Sequence, residues 1–77
     1  MFYVYAISSL QRTYIYVGIT NNFDRRIDEH QKGYNKTTRA YRTFRVILVE
    51  KYETRQGARK REKYLKSGVG KEFLKSK

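Results

Sequence analysis

A chain of 77 residues has room for one domain with a small core, because at this length folding removes only about 60% of the surface that the unfolded chain exposes. With no cysteine and a single histidine, disulfide frameworks, thiolate metal sites and multi-histidine zinc sites are excluded. Eighteen lysines and arginines against seven acids give a formal charge of +11, and eight tyrosines and four phenylalanines accompany it, which is the footprint of a nucleic-acid partner.

The charge is spread along the chain, which favours a folded binding face over a basic tail. An anionic lipid surface is the other partner such a charge could meet. The first apolar run, Phe2 to Ile7, is too short for a signal-peptide core or a membrane span, so a cytoplasmic protein without a membrane role is expected. No proline, internal repeat or low-complexity tract divides the sequence, and residues 1–77 read as one domain.

Residues 2–8 are β-branched and aromatic and predict a strand. Ser9 to Thr13 predicts a polar turn and residues 14–19 a second strand, so the two form an antiparallel hairpin. Period-two alternation puts Tyr3, Tyr5 and Ile7 on one face of the first strand, and Tyr14, Tyr16 and Gly18 on one face of the second. Gly18 leaves space beside Tyr16 for a backbone or a ligand. Asn21 or Asn22 caps a helix running to Lys32, and Gly33 stops it. Phe23, Ile27 and His30 form its inward stripe, with Arg26 one turn before His30.

Residues 33–43 predict a polar, basic loop in which Lys36, Thr37, Thr38, Arg39 and Arg42 could grip phosphates without reading sequence. Residues 44–50 predict a third strand whose near-continuous apolar run suggests burial on both faces. Thr54 caps a second helix to Lys66. Ala58, Glu62 and Leu65 share one stripe of it, so a carboxylate sits on an otherwise apolar face, where an unpaired charge is costly. Gly68-Val69-Gly70 breaks this helix, and a last short helix holds Phe73 and Leu74 against the core. The expected fold is α+β: a three-stranded antiparallel sheet flanked by helices, in the order β-β-α-β-α-(α).

Tyr5, Tyr16, Arg26, His30 and Glu62 are the polar groups that point where core residues would go. Together they suit phosphodiester cleavage. That chemistry needs a positioned or deprotonated water, positive charge on the phosphate and a stabilised leaving oxygen. A carboxylate-held divalent metal supplies Lewis acidity, and an arginine supplies fixed charge. Each residue also has a plainer reading. The tyrosines could be ordinary packing residues of a half-buried sheet face. Arg25 and Arg26 could be surface cations, and His30 a satisfied core histidine. Glu62 could be one half of a helix-face ion pair with Arg59, Arg61 or Lys66.

In this arrangement the sequence resembles the GIY-YIG endonuclease superfamily. Tyr3-Val4-Tyr5 looks like the first motif and Tyr16-Val17-Gly18 like the second. The eleven-residue step from Tyr5 to Tyr16, the ten-residue step from Tyr16 to Arg26, and His30 one turn later fit the family pattern. Arg61-Glu62-Lys63 matches the family's metal-binding glutamate. Two departures stand beside these matches: Tyr3 occupies the position of the first-motif glycine, and no equivalent is identified in Phe73–Lys77 for the asparagine that many members carry after the last helix. The resemblance implies a small stand-alone endonuclease domain cutting DNA, ahead of RNA, in repair or recombination. It implies that Tyr5 and Tyr16 position or deprotonate the attacking water and that Arg26 neutralises the phosphate. It further implies that His30 supports the site or shuttles a proton, and that Glu62 holds one Mg²⁺ or Mn²⁺. Arg25, Lys36, Arg39 and Arg42 are the expected nucleic-acid contacts. The alternative is a basic nucleic-acid-binding module on the same scaffold with weak or no catalysis.

Overall fold

The computed structural model describes residues 1–77. Three strands, β1 (Phe2–Ser9), β2 (Ile15–Thr20) and β3 (Phe44–Tyr52), form one sheet in the order β2-β1-β3. Both pairings are antiparallel, and β1 is the central strand. Helix α1 (Phe23–Lys32) follows β2, a short 3-10 turn (Arg39–Tyr41) precedes β3, and helices α2 (Arg55–Lys66) and α3 (Gly68–Lys75) complete the chain. The expected strand and helix order is therefore the observed one.

Alternation along β1 divides the core in two. Val4 and Ala6 face one way and pack with Val17, Ala58, Leu65 and Leu74 beneath α2 and α3. Tyr5 and Ile7 face the other way and pack with Phe44, Tyr16, Phe23 and Ile27 beneath α1. The first layer is aliphatic. The second is largely aromatic, and it is the layer that carries the polar chemistry.

Strand β3 differs from expectation. Its apolar run is not buried on both faces, because β3 is an edge strand that packs on the α2–α3 side and stays open on the other. Val46 and Val49 are 39% and 47% exposed on the α1 side. A β-bulge explains why the run looks continuous. Ala6 pairs with Leu48 and Ile7 with Val46, so Ile47 is the extra residue, and both Ile47 and Leu48 pack on the aliphatic layer.

The helix termini are well formed. Asn22 accepts from the Arg25 N–H at the start of α1, and Gly33 ends that helix with a left-handed φ of 80°. Thr54 caps α2 through the Gly57 N–H. The α2–α3 junction is tighter than the sequence suggests. α2 stops at Lys66, Ser67 caps the next helix through the Gly70 N–H, and Gly68, Val69 and Gly70 form the first turn of α3 rather than a gap. A side chain at Gly70 would overlap the Tyr64 carbonyl oxygen, and its Cβ would stand 2.5 Å from the Leu65 Cα. Glycine there lets α3 turn back close enough to bury Leu74, while Phe73 stays 37% exposed.

Arg61 fixes α2 to β3. Its Nε and one terminal nitrogen donate to the two oxygens of Glu50 at 2.9 and 3.1 Å, and the Tyr52 hydroxyl donates to the same carboxylate at 2.9 Å. Burial works against ionisation of Glu50, but these hydrogen bonds outweigh it and hold the carboxyl below its ordinary range.

The two glycines of the α3 turn should separate cleanly on substitution. Gly70→Ala meets backbone on two sides and should cost about 1–3 kcal/mol. Gly68→Ala meets open space and should be neutral or stabilising by up to about 1 kcal/mol through helix propensity. Urea denaturation of the two variants measures the difference, and equal effects would contradict the packing described.

Candidate active site

Tyr5 sits at the middle of the central strand and is 1% exposed. Its cross-strand neighbour is Gly18, and a Cβ on Gly18 would stand 2.6 Å from the Tyr5 hydroxyl oxygen and 3.0 Å from the Tyr16 ring. The space that Gly18 leaves is thus filled by the Tyr5 ring itself, where the sequence suggested a backbone or a ligand. Without a side chain on Gly18, Tyr5 can lie across β2 and point its hydroxyl at helix α1.

His30 receives it. The Tyr5 hydroxyl and His30 Nε2 are 2.8 Å apart, and His30 Nδ1 is 2.8 Å from the Thr38 hydroxyl. His30 and Thr38 are completely buried. A neutral imidazole donates from one nitrogen and accepts at the other, and two hydroxyls satisfy either tautomer. Burial first, and then the nearby Arg26 charge, push the His30 pKa down, with Glu29 opposing. Burial first, then Tyr16, push the Tyr5 hydroxyl well above the ordinary tyrosine range, with Arg26 opposing. Both groups therefore stay neutral near pH 7. This is the geometry of a support: a buried chain of three hydrogen-bonding groups ties β1, α1 and the following loop together.

Tyr16 stands at the solvent side of this support. Its ring centroid is 5.0 Å from that of His30 and 6.2 Å from that of Tyr5, and it is only half-buried. An open cleft of about 390 Å³ lies in front of it. Tyr5, Tyr16, Gly18, Arg26 and Glu62 all line that cleft, so β1, β2, α1 and α2 each contribute to one wall. Arg26 is 38% exposed and pairs loosely with Glu29 at 3.7 Å. Glu62 is 15% exposed, with Lys66 at 3.0 Å and Arg59 at 4.0 Å.

Four of the five residues expected at the site thus line the cleft, and His30 lies directly behind it. None of Arg25, Lys36, Arg39 and Arg42 lines it. Arg25 is an exposed partner of Glu29 at 3.8 Å. Arg42 donates to the Lys32 carbonyl at 2.9 Å and folds over Gly33, holding the end of α1. Thr38, expected among the phosphate-gripping loop residues, is instead buried against His30. The cleft has two further cations that the sequence reading did not assign to it, Arg55 and Arg59. Their signal was present, because Arg55, Arg59 and Glu62 recur at i, i+4 and i+7 on one stripe of α2. Thr38 had no comparable signal, since nothing in a polar loop marks which hydroxyl turns inward.

The donors present suit a hard divalent cation with most of its hydration retained. No cluster of three or more His, Asp or Glu side chains exists anywhere in the chain. Glu62 is the one carboxylate lining the cleft, and the space in front of it is open and polar. Mg²⁺ keeps several waters and is commonly held by one or two carboxylates, so a single-glutamate site fits it, and Mn²⁺ accepts the same oxygen ligands.

Comparison with known proteins agrees with this fold. The sequence profile of the GIY-YIG catalytic domain matches residues 1–75. A UPF0213 protein of Natronomonas pharaonis is 35% identical over 66 residues, covering 84% of this chain and 76% of that protein. The solution NMR structure of a UPF0213 protein from Bacillus halodurans superposes with a TM-score of 0.59 at 32% identity, covering 99% of this chain and 84% of the other. The chain belongs to the GIY-YIG family, and its fold is that of an endonuclease-type module.

The buried histidine gives a pH test. His30 is the sole histidine, and its pKa is lower folded than unfolded. The unfolded chain therefore binds the proton more readily as pH falls through the ordinary histidine range, and folding stability should fall with it. Between pH 7.5 and 5.5 urea denaturation should show a loss of no more than about 1.4 kcal/mol per pH unit below the ordinary value. His30→Gln should flatten that dependence. An unchanged slope in the variant would contradict a neutral, buried imidazole.

Proposed function

We propose that this chain is a metal-dependent endonuclease that hydrolyses phosphodiester bonds in DNA through the cleft between Tyr16 and Glu62. The observation that carries the proposal is the convergence of Tyr16, Arg26 and Glu62 on one open cleft, backed by the buried Tyr5–His30 pair. Tyr16 is the tyrosine that solvent reaches, and its hydroxyl holds and activates the attacking water. Tyr5 keeps its proton and fixes the wall against which Tyr16 packs. Arg26 meets the scissile phosphate and offsets the charge that builds on it. Arg55 and Arg59 hold the flanking phosphates. Glu62 would hold one Mg²⁺ or Mn²⁺, which when bound supplies Lewis acidity at the phosphate. Lys66 must then leave the Glu62 oxygen it pairs with, which is feasible for a side chain 54% exposed.

That ion pair also supports the second reading. A Glu62 held by Lys66 and Arg59 could act only as a structural carboxylate, leaving a nucleic-acid-binding module with weak or no catalysis. Nicking of supercoiled and branched DNA in Mg²⁺ or Mn²⁺ separates the two. Under the nuclease reading, wild type cuts, chelation stops it, and Glu62→Ala and Arg26→Ala each lose about 10²-fold or more in cutting rate. Glu62→Ala should bind DNA at least as well as wild type, because it removes a negative charge. Binding by wild type with no cutting of any substrate favours the module. Cutting by Glu62→Ala at the wild-type rate contradicts the site.

A further inference from the structure

The chain has a second cleft, and nothing in the proposed cutting reaction uses it. It encloses about 620 Å³ and is lined from β1, β2, β3 and α3. Every charged side chain on its wall is a cation: Arg12, Arg45, Lys71, Lys75 and Lys77. Of these, Lys75 alone pairs with an acid, Glu72 at 3.6 Å, and both partners are largely exposed. Its apolar wall is made of Ile15, Ile47 and Leu74, with Tyr14 beside them. Ile47 stands two residues after Arg45 and faces the same side of the sheet, so β3 gives this wall one cation and one apolar side chain.

The two clefts occupy opposite ends of the sheet. Phe2, Gly18 and Thr20 line the first, and Ser8, Ile15 and Arg45 the second, with Ser8 paired to both Ile15 and Arg45. From Phe2 to Ser8 the central strand advances roughly 20 Å.

We propose that this second cleft binds an unpaired strand of nucleic acid. The proposal rests on the nucleic-acid reading above and gives it a preferred substrate shape. Five cations with no acid on the wall call for a polyanion. A lipid surface would need a flat or convex face, whereas this one is concave. A duplex presents phosphates outside and keeps its bases stacked within, so it can meet the rim but cannot fill the apolar interior. An unpaired strand offers both parts at once: phosphates for Arg45 and Lys71, and base faces for Tyr14 and the aliphatic side chains beside it.

Fluorescence anisotropy tests this with the full chain in EDTA, where no cutting interferes. The probes are a labelled single-stranded oligonucleotide and the blunt duplex of the same sequence. Arg45→Ala/Lys71→Ala alters two exposed side chains outside the cutting cleft, and its fold is checked by circular dichroism. The double variant should weaken single-strand binding by about 10-fold, and the slope of log K against log salt should shrink by about 1.4, two contacts at about 0.7 each. Duplex binding should change less than about 2-fold. Equal losses on both probes would reduce the cleft to diffuse charge and overturn the proposal. So would an unchanged single-strand affinity, or a wild type that fails to bind the single strand. The nuclease reading stands apart from this result: a protein that binds through Arg45 and Lys71 yet never cuts would sink the nuclease and keep the cleft.

Discussion

The hydrogen bond between Tyr5 and His30 is the constraint on which the rest of the site depends. It joins the central strand to helix α1 through a layer that is otherwise aromatic, and Thr38 extends it into the loop that leads to β3. Three polar groups buried together would be costly if any one lacked a partner, and no buried side-chain polar atom in the chain does. The glycine in β2 is part of the same device, because it lets the Tyr5 ring cross to the helix. The consequence is local. Tyr16 stands on a rigid wall, and the helix that carries Arg26 is held at a fixed distance from the strand that carries Tyr16.

The opposite side of the sheet is organised by different physics. There the core is aliphatic, and α2 is positioned by the Glu50–Arg61 bridge, by Ala58 and Leu65, and by the close crossing of α3 at Gly70. This packing turns the Arg55, Arg59 and Glu62 stripe of α2 towards the open edge of β2, where it meets Tyr16 and Arg26. The cleft is thus assembled from two cores that do not share side chains. Disturbing either should move one half of the site relative to the other, which is why residues remote from any substrate matter here.

The sequence revealed most of this where a pattern had a physical period. The hairpin, both long helices and their caps followed from alternation, stripes and capping residues. Tyr5, Tyr16, Arg26, His30 and Glu62 could be collected because their spacings point them inward together. What stayed hidden depended on contacts between segments far apart in the chain. Residues 44–50 looked doubly buried because a bulge and an edge position leave no mark in a run of valine, isoleucine and leucine. Gly68-Val69-Gly70 marked the break between α2 and α3 but not the close crossing at Gly70, because a glycine that admits a neighbouring helix resembles one that ends its own. Thr38 and Arg42 looked like phosphate contacts because their inward partners, His30 and the Lys32 carbonyl, are fixed only by the loop's path. Arg55 and Arg59 shared a visible stripe with Glu62, and were passed over because cations on an exposed helix face are common.

The central claim is that the Tyr16 hydroxyl takes part in chemistry and is not only part of a packed sheet face. Tyr16→Phe removes one oxygen and keeps the ring, so it separates the two directly. The measurement is single-turnover DNA cleavage by this variant, alongside its DNA affinity and its melting temperature. The account predicts a loss of about 10²-fold or more in the cleavage rate with affinity and melting nearly unchanged. Cleavage within a few-fold of wild type would contradict it and return Tyr16 to a packing role.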